Sequence, residues 1–480
     1  MNMSSTRGMH MPTLVAGLML ACAVIVSFLA ASGPVQWMDN GLILADAAQG
    51  PYFSTSLGPV SHPLYALVAH LVHALLGAHL LSLLNAMLLL PLALVVHGLA
   101  VSVGTPRHLA LLAATATVLA HAVFWASTKA EPYVLHAVLI IGAYWLCFTA
   151  PARLGTTGRL LAIGVLSGLA LAIHPLTLVV LLPLYVHLAM QHKLRLLLVL
   201  PGIALGFAPA LPAVVNDLES GMNLFEIIRR YLAGPDQLAI IPGGRNDTLW
   251  RFDDMWHEKN AVVLLGLSLI GPQFLGLLVW PKTRALQVLW AALLLNFLFA
   301  VSYGVFDRFA LFLPGIALAS ILGVAHLARY LPNNRFGVAA LYLSVVTGPA
   351  AMLSMWGLYA NGWVKLPTHT EALPFRNDIR YYLVPYLQDR SAEQFARAYE
   401  TLVPPGALVV ADTTPLGALR SAQANDALRG RILQGCEQST NIPPYLNGAG
   451  AFLPRTSFCG NIGEQFTLQE NLLGFRLQAK

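Results

Sequence analysis

The chain has 480 residues, 57% of them hydrophobic and only 10% charged, with a formal net charge of +6. A soluble domain carries about a quarter charged residues, so this composition excludes an ordinary soluble globular protein. The excess of Lys and Arg is what membrane proteins hold in cytoplasmic loops, and no basic block interleaved with aromatics argues for nucleic acid.

Apolar runs long enough to cross a hydrocarbon layer of ~30 Å recur along the chain. In order they are Thr13–Ala31, Leu80–Val103, Leu109–Ala126, Tyr133–Phe148, Leu160–Ile173, Leu176–Met190, Leu196–Val215, Ala261–Trp280, Leu286–Ser302, Phe309–Leu327 and Val338–Met355. The first follows Arg7 and reads as a retained signal-anchor, although Ala30-Ala31-Ser32 also offers small residues for signal-peptide cleavage. A further stretch, Leu64–Leu76, is short, carries His70 and His73, and fits a helix lying at the outer interface.

Loop charge tests that choice. With the short stretch left out and the N-terminus inside, the cytoplasmic connections are Arg107-His108, Arg153 to Arg159, His192 to Arg195, Lys282 to Arg284 and Arg329 to Arg335. All are basic. The opposite side then holds Asp39, Glu131, the Asn216–Asn260 segment, Asp307 and the tail. The expected fold is an all-α polytopic membrane protein of about 11 transmembrane helices plus a juxtamembrane helix, with a small C-terminal α/β extracytoplasmic domain. The membrane part spans residues 1–364, with outer loops 33–79 and 216–260; the outer domain spans 365–480.

In the tail, Asn377 to Leu402 reads as an amphipathic helix and Ala407 to Ala411 as a buried strand after the turn Pro404-Pro405-Gly406. A helix from Pro415 to Ala427 and a short Arg431–Leu433 strand complete the predicted α/β unit. Cys436 and Cys459 both fall here and are a candidate disulfide, worth about 3 kcal/mol by loop entropy. Cys22 and Cys147 lie in apolar helices and read as packing residues.

Ionisable groups at a membrane boundary cost free energy unless paired or hydrated, so each is a functional candidate. Asp39 follows the first crossing, with Asp46 and His62 further on. A carboxylate beside a histidine is able to take a proton from a hydroxyl or hold a metal; solvated loops are the bland alternative. Glu131 opens a span, where an acid also suits the helix dipole. His174-Pro175 interrupts an apolar run, as a substrate contact or as a plain turn. Arg229 and Arg230 have the geometry to clamp a phosphate, or they line a solvated helix face. Asp307-Arg308 also fits a simple interfacial ion pair. No histidine spacing fits a metal site, so neither metal nor cofactor is expected.

The motif order Asp39-Asn40-Gly41, His62-Pro63-Leu64-Tyr65, Trp125 with Glu131-Pro132-Tyr133, and Gly168-Leu169-Ala170-Leu171 with His174 resembles the GT-C glycosyltransferases. The branch it is similar to is that of the animal plexin-type protein O-mannosyltransferase and its bacterial relatives. Arg229-Arg230-Tyr231 and Tyr303 with Asp307 resemble later family positions, and Leu402 to Ala407 resembles the start of the family's extracytoplasmic domain. The chain departs from the family at Leu42, where an acid is common, in its shortened His-Pro motif, and at Pro175.

The resemblance implies a membrane enzyme that takes a sugar from a polyprenyl-phosphate carrier and passes it to an extracytoplasmic acceptor hydroxyl with inversion. Asp39 would be the base. His62, Tyr65, Glu131, Tyr133, His174 and Asp307 would bind substrate, and Arg229, Arg230 and Arg308 the lipid phosphate. It implies the bacterial cytoplasmic membrane, with the site facing the periplasm. The partners are then the lipid-linked donor, membrane lipid and an acceptor whose identity the sequence leaves open. A transporter or flippase of a lipid-linked or anionic solute is the alternative, since broken helices and buried charges also mark transport paths. A scaffold whose tail binds an envelope partner is the third reading.

Overall fold

The computed structural model describes residues 10–50, 62–149, 154–233, 259–303, 307–331, 335–366, 371–383, 389–436 and 441–480. Among the described residues the N-terminal part contains helices and no strand. Its helices are α1 (His10–Ala30), α2 (Met38–Gln49), α3 (Pro63–Leu76), α4 (Leu80–Met87), α5 (Leu89–Ser102), α6 (Arg107–Leu119) and α7 (His121–Ser127). There follow α8 (Tyr133–Phe148), α9 (Gly155–Leu171), α10 (Leu176–His192), α11 (Val199–Phe207), α12 (Leu211–Glu219) and α13 (Leu224–Ala233). Beyond 258 come α14 (Lys259–Leu269), α15 (Pro272–Leu278), α16 (Arg284–Ser302), α17 (Leu313–Tyr330) and α18 (Arg335–Ala360).

Among the described residues six helical runs are long and apolar enough to cross a membrane, or seven if the bent pair α6–α7 forms one span. The chain is a multi-pass membrane protein. Its outer helices show lipid an apolar face, as Leu14, Leu18, Ile25 and Leu29 of α1 do. The run Ala310–Tyr330, which contains α17, is 83% buried and forms the centre of the bundle.

Several of the eleven expected crossings are not continuous long helices. The expected run Leu109–Ala126 breaks at Ala120, whose ψ of 138° sets α6 and α7 at 64°. Ala261–Trp280 breaks between α14 and α15, where Gly271 at φ 121° precedes Pro272. Lys193, at φ 49°, and a 3-10 turn divide α10 from α11. Helices α9 and α11 pack backbone to backbone through Gly164 and Gly168 against Gly202 and Gly206. A Cβ at Gly206 would lie 2.1 Å from the Val165 carbonyl oxygen. Small residues four apart let membrane helices approach this closely.

The tail folds on one end of this bundle, the end that carries Asp39. It contains α19 (Asp378–Leu383), α20 (Ser391–Leu402), β1 (Leu408–Ala411), α21 (Thr413–Ala424), β2 (Ile432–Gly435), α22 (Pro443–Leu446), β3 (Ala451–Leu453), α23 (Gly460–Gln465), β4 (Thr467–Asn471) and β5 (Gly474–Gln478). The sheet order is β2-β1-β3-β5-β4, with β1 parallel to both neighbours and fully buried. That explains its unbroken apolar run. The single helix expected over Asn377–Leu402 is two helices, because Asp389 accepts the Ser391 N–H (2.9 Å) and starts α20 afresh. Cys436 and Cys459 are joined in a disulfide, with Cα atoms 5.5 Å apart. Cys147 is buried, whereas Cys22 is exposed on the outer, apolar face of α1.

Candidate functional site

The segment between α1 and α2 is knitted into three other parts of the molecule. The Ser32 N–H donates to the Thr128 carbonyl (2.8 Å). Gln36 donates through Nε2 to Ser82 on α4 (2.8 Å) and accepts from the Ala130 N–H (3.1 Å). Its own N–H donates to Ser421 on α21 (3.2 Å). Trp37 is buried and donates to Ser391 (2.8 Å), at the start of α20. These bonds fix where α2 begins, and Asp39 stands exposed in its first turn.

Opposite lies the short connection from α7 to α8, carrying Lys129 and Glu131. Asn85 on α4 holds it, donating to the carbonyls of Lys129 (2.6 Å) and Glu131 (2.8 Å) and to the Tyr65 hydroxyl (2.9 Å). Tyr65 is thus a buried tie between α3, α4 and this connection. Glu131 is 4% exposed. Burial pushes its carboxyl well above the ordinary range, and the charges of Asp307 and Asp39 push it the same way, against Lys129. Asp39, Glu131 and Asp307 therefore share one electrostatic neighbourhood.

A second group joins it at Tyr133. The His62 and His174 rings stack with centres 5.6 Å apart, and Tyr133 meets them at 5.9 Å and 6.1 Å. His62 donates through Nδ1 to the Ile173 carbonyl (2.9 Å), and His174 Nδ1 accepts the Leu176 N–H (3.0 Å). His136 on α8 extends the cluster, 6.0 Å from His174. Among the described residues no group of His, Cys, Asp and Glu is arranged to hold a metal ion.

The arginines divide. Arg229 and Arg230 both turn to Glu226 one turn earlier on α13 and pair with it. Helix α13 is itself pinned near the site, since the Tyr231 hydroxyl donates to the Leu171 carbonyl at the end of α9. Arg308 is fully buried and donates to the Val301 carbonyl (3.2 Å). The disulfide Cys436–Cys459 lies in the apolar core of the outer domain with Leu408 and Val410 of β1.

The tail adds residues the sequence did not single out. Arg376 pairs with Asp378 and places its guanidinium over the rings of Trp37 (5.2 Å), Tyr381 (4.1 Å) and Tyr382 (6.0 Å). Tyr381 accepts the Trp125 indole N–H at its carbonyl (3.1 Å) and Asn40 Nδ2 at its hydroxyl (3.4 Å). His121 donates to the Tyr382 carbonyl (2.6 Å). Lys129 lies over Trp125 and Tyr381 at 4.5 Å and 4.9 Å. A lone lysine two residues before Glu131, in the connection the loop-charge pattern expects to be acidic, was the signal available for Lys129.

No protein-family model matches the chain, and no curated protein matches it in sequence. Solved structures do. ArnT from Cupriavidus metallidurans in the apo state aligns with a TM-score of 0.59 over 96% of both chains, at 13% identity. The same protein bound to undecaprenyl phosphate aligns at 0.55 over 97% of this chain and 98% of that one, again at 13% identity. An oligosaccharyltransferase from Archaeoglobus fulgidus aligns at 0.45 over 94% of this chain and 68% of that one, at 13% identity. The likeness to ArnT runs from end to end, through the bundle and the C-terminal domain, and it is a likeness of fold.

Proposed function

We propose that the chain is an integral membrane glycosyltransferase that moves a sugar from a polyprenyl-phosphate carrier to an extracytoplasmic hydroxyl, with inversion. The observation that carries this reading is the convergence of Asp39, Glu131 and Asp307 beside the ring cluster of His62, Tyr133 and His174, on the fold of a protein whose structure was solved with undecaprenyl phosphate. In the reaction Asp39 takes the acceptor's proton. The acceptor oxygen forms a bond to the anomeric carbon as the bond from that carbon to the phosphate oxygen breaks, and the polyprenyl phosphate leaves as the anion. Asp39 suits the role because it is exposed on a helix whose start is fixed by Trp37 and Gln36.

Burial and its acidic neighbours favour the protonated form of Glu131, which suits it to donate a hydrogen bond to a sugar hydroxyl rather than to act as a second base. His62, Tyr133 and His174 form the wall beside it, Tyr65 supports that wall from α3, and Asp307 closes the acidic group. Arg308 is the arginine best placed to offset leaving-group charge, whereas Arg229 and Arg230 serve the lipid phosphate only after releasing Glu226. The site faces the periplasm across a bundle of about eleven crossings in the bacterial cytoplasmic membrane, with residues 365–480 as the outer domain. Mannose, the sugar of the branch the motifs resemble, is the first donor to test.

The test is Asp39→Asn in the purified enzyme. Removing a general base should lower consumption of polyprenyl-phosphate sugar by roughly 10²–10⁴-fold while the protein stays folded. Wild-type turnover by Asp39→Asn would remove the base from this mechanism. The clustering of acids at one end of the bundle weighs against a transporter, whose polar groups gather near the bilayer midplane.

A further inference from the structure

Two buried amide side chains, Gln36 and Asn85, grip the turn that carries Glu131. The Glu131 N–H closes a three-residue turn on the Lys129 carbonyl (3.0 Å). Asn85 donates to the carbonyls on both sides of that turn, and Gln36 accepts the Ala130 N–H at its centre. Gln36 Nε2 has two hydrogens, and both are used. One goes to the Gly33 carbonyl (2.8 Å) and the other to Ser82 (2.8 Å). Ser82 and Asn85 are three residues apart on α4 and so share a face. The turn, α4 and the segment before α2 are thereby tied together at Gln36.

The same residue seats α2. The Gln36 N–H donates to Ser421 on α21, and its carbonyl lies where a Cβ on Gly41 would come within 2.0 Å. Asp39 follows three residues later, and Glu131 is next to the N–H that Gln36 holds. One residue, through its side chain and its backbone, thus connects the proposed base with the proposed hydrogen-bond donor. Stability alone does not call for this arrangement. Among the described residues Asn85 Oδ1 is buried without a donor, a cost that an apolar side chain would avoid.

We propose that Gln36 is a positioning residue for the transfer, setting the separation of Asp39 and Glu131 while Asn85 fixes the far side of the turn. The roles of the two acids rest on the transferase reading above; their spacing does not. A primary amide suits the task, because it offers donor and acceptor in one plane and neither titrates. With Gln36 in place, an acceptor hydroxyl at Asp39 and a sugar hydroxyl at Glu131 are held in register. Without it the turn is free to shift along α4 relative to α2.

The experiment follows the coupling of the two acids in the full-length protein in nanodiscs, without substrate. The infrared C=O band that Glu131→Gln removes is titrated against pH. Asp307, Asp39 and Lys129 carry the charges that act on Glu131, and Tyr65, Tyr133 and Tyr381 lie in the same field. Asp39→Asn should move this titration to lower pH in the otherwise wild-type protein, because the Asp39 charge raises it. Gln36→Met keeps the length of the side chain but neither hydrogen-bonding group. In that background the response to Asp39→Asn should be largely lost. Turnover per folded enzyme should fall by about 10²-fold, the cost of a misplacement of about 1 Å, with little change in KM for the lipid-linked donor. If Gln36→Met does not fold, Ser82→Ala removes one partner of the amide and should weaken the response and slow turnover in the same sense. An undiminished response in these variants, even where they unfold more easily, makes Gln36 a merely structural residue and overturns the proposal. Full turnover by a variant that has lost the response overturns it too, as does an otherwise wild-type protein whose titration ignores Asp39→Asn. If the wild type transfers no sugar while Gln36→Met loses the response, the transferase reading fails and the positioning of the two acids stands.

Discussion

Lys129 and Glu131 sit two residues apart, both buried, and burial moves their titrations in opposite directions. For Glu131 the folded value lies above the ordinary 4.5, so the native state keeps a proton that the unfolded chain loses. Its contribution to stability is complete below the ordinary value and declines as pH rises toward the folded one. For Lys129 the folded value, about 7, lies below the ordinary 10.5. Between these values the unfolded state binds more protons, so stability rises with pH across that window, and the penalty of the charge is full below about 7. Lys129→Met should therefore stabilise the unliganded protein at pH 6 by on the order of 1–3 kcal/mol, the cost of an unsatisfied buried polar group. The gain should nearly vanish at pH 10.5. Thermal unfolding of both proteins at the two pH values checks this; an equal gain at both would mean that folding leaves the Lys129 titration where it is in the unfolded chain.

Helix α2 carries Asp39, and α21 of the outer domain sits directly on it. A Cβ at Gly417 would lie 2.1 Å from the Met38 carbonyl oxygen, and one at Gly41 would lie 2.3 Å from the Gly417 carbonyl oxygen. No side chain fits between these backbones. Met38 meanwhile has φ 58°, a left-handed conformation uncommon for a side-chain-bearing residue, and the Tyr382 hydroxyl donates to its sulfur (2.8 Å). Contacts from the tail thus hold a strained residue one position before Asp39. Gly417→Val should lift α21 from α2 and shift Asp39 by about 1 Å, a displacement that costs roughly 10²-fold in turnover. Gly448→Ala is the control, since its nearest neighbours are 3.9 Å away. Equal turnover by the two variants in a transfer assay would separate the outer domain from the catalytic geometry.

At the scale of the whole molecule, loop charge predicts a sidedness that labelling can test. The connection between α10 and α11 holds Leu194, 83% exposed among basic residues, and the β4–β5 turn holds Leu472, 90% exposed beside the disulfide-bearing domain. In a chain with Cys22 and Cys147 changed to Ala, Leu194→Cys should label with an impermeant thiol reagent only from the cytoplasmic side and Leu472→Cys only from the outside. Labelling of both from one side would overturn the single-face site.

Much of this was open to sequence reading, because burial in lipid enforces a strong pattern. Apolar runs, basic loops and one polar end follow from the need to satisfy every backbone group in hydrocarbon and from the charge bias of loops. Asp39, Glu131, His174 and Asp307 stood out because ionisable groups beside apolar runs are rare. Hydropathy says little about where a helix breaks, so the bend at Ala120 and the Gly271-Pro272 break passed as unbroken runs. The β4–β5 hairpin also went unseen, its burial pattern being mostly exposed. Only the tertiary structure brought Arg376 and Tyr381 to Lys129 and set Gly417 on the Asp39 helix, more than 240 residues apart in each case. The sequence by itself determined which residues must avoid lipid; which of them meet was decided by packing of the outer domain on the bundle, a long-range contact that no local periodicity encodes.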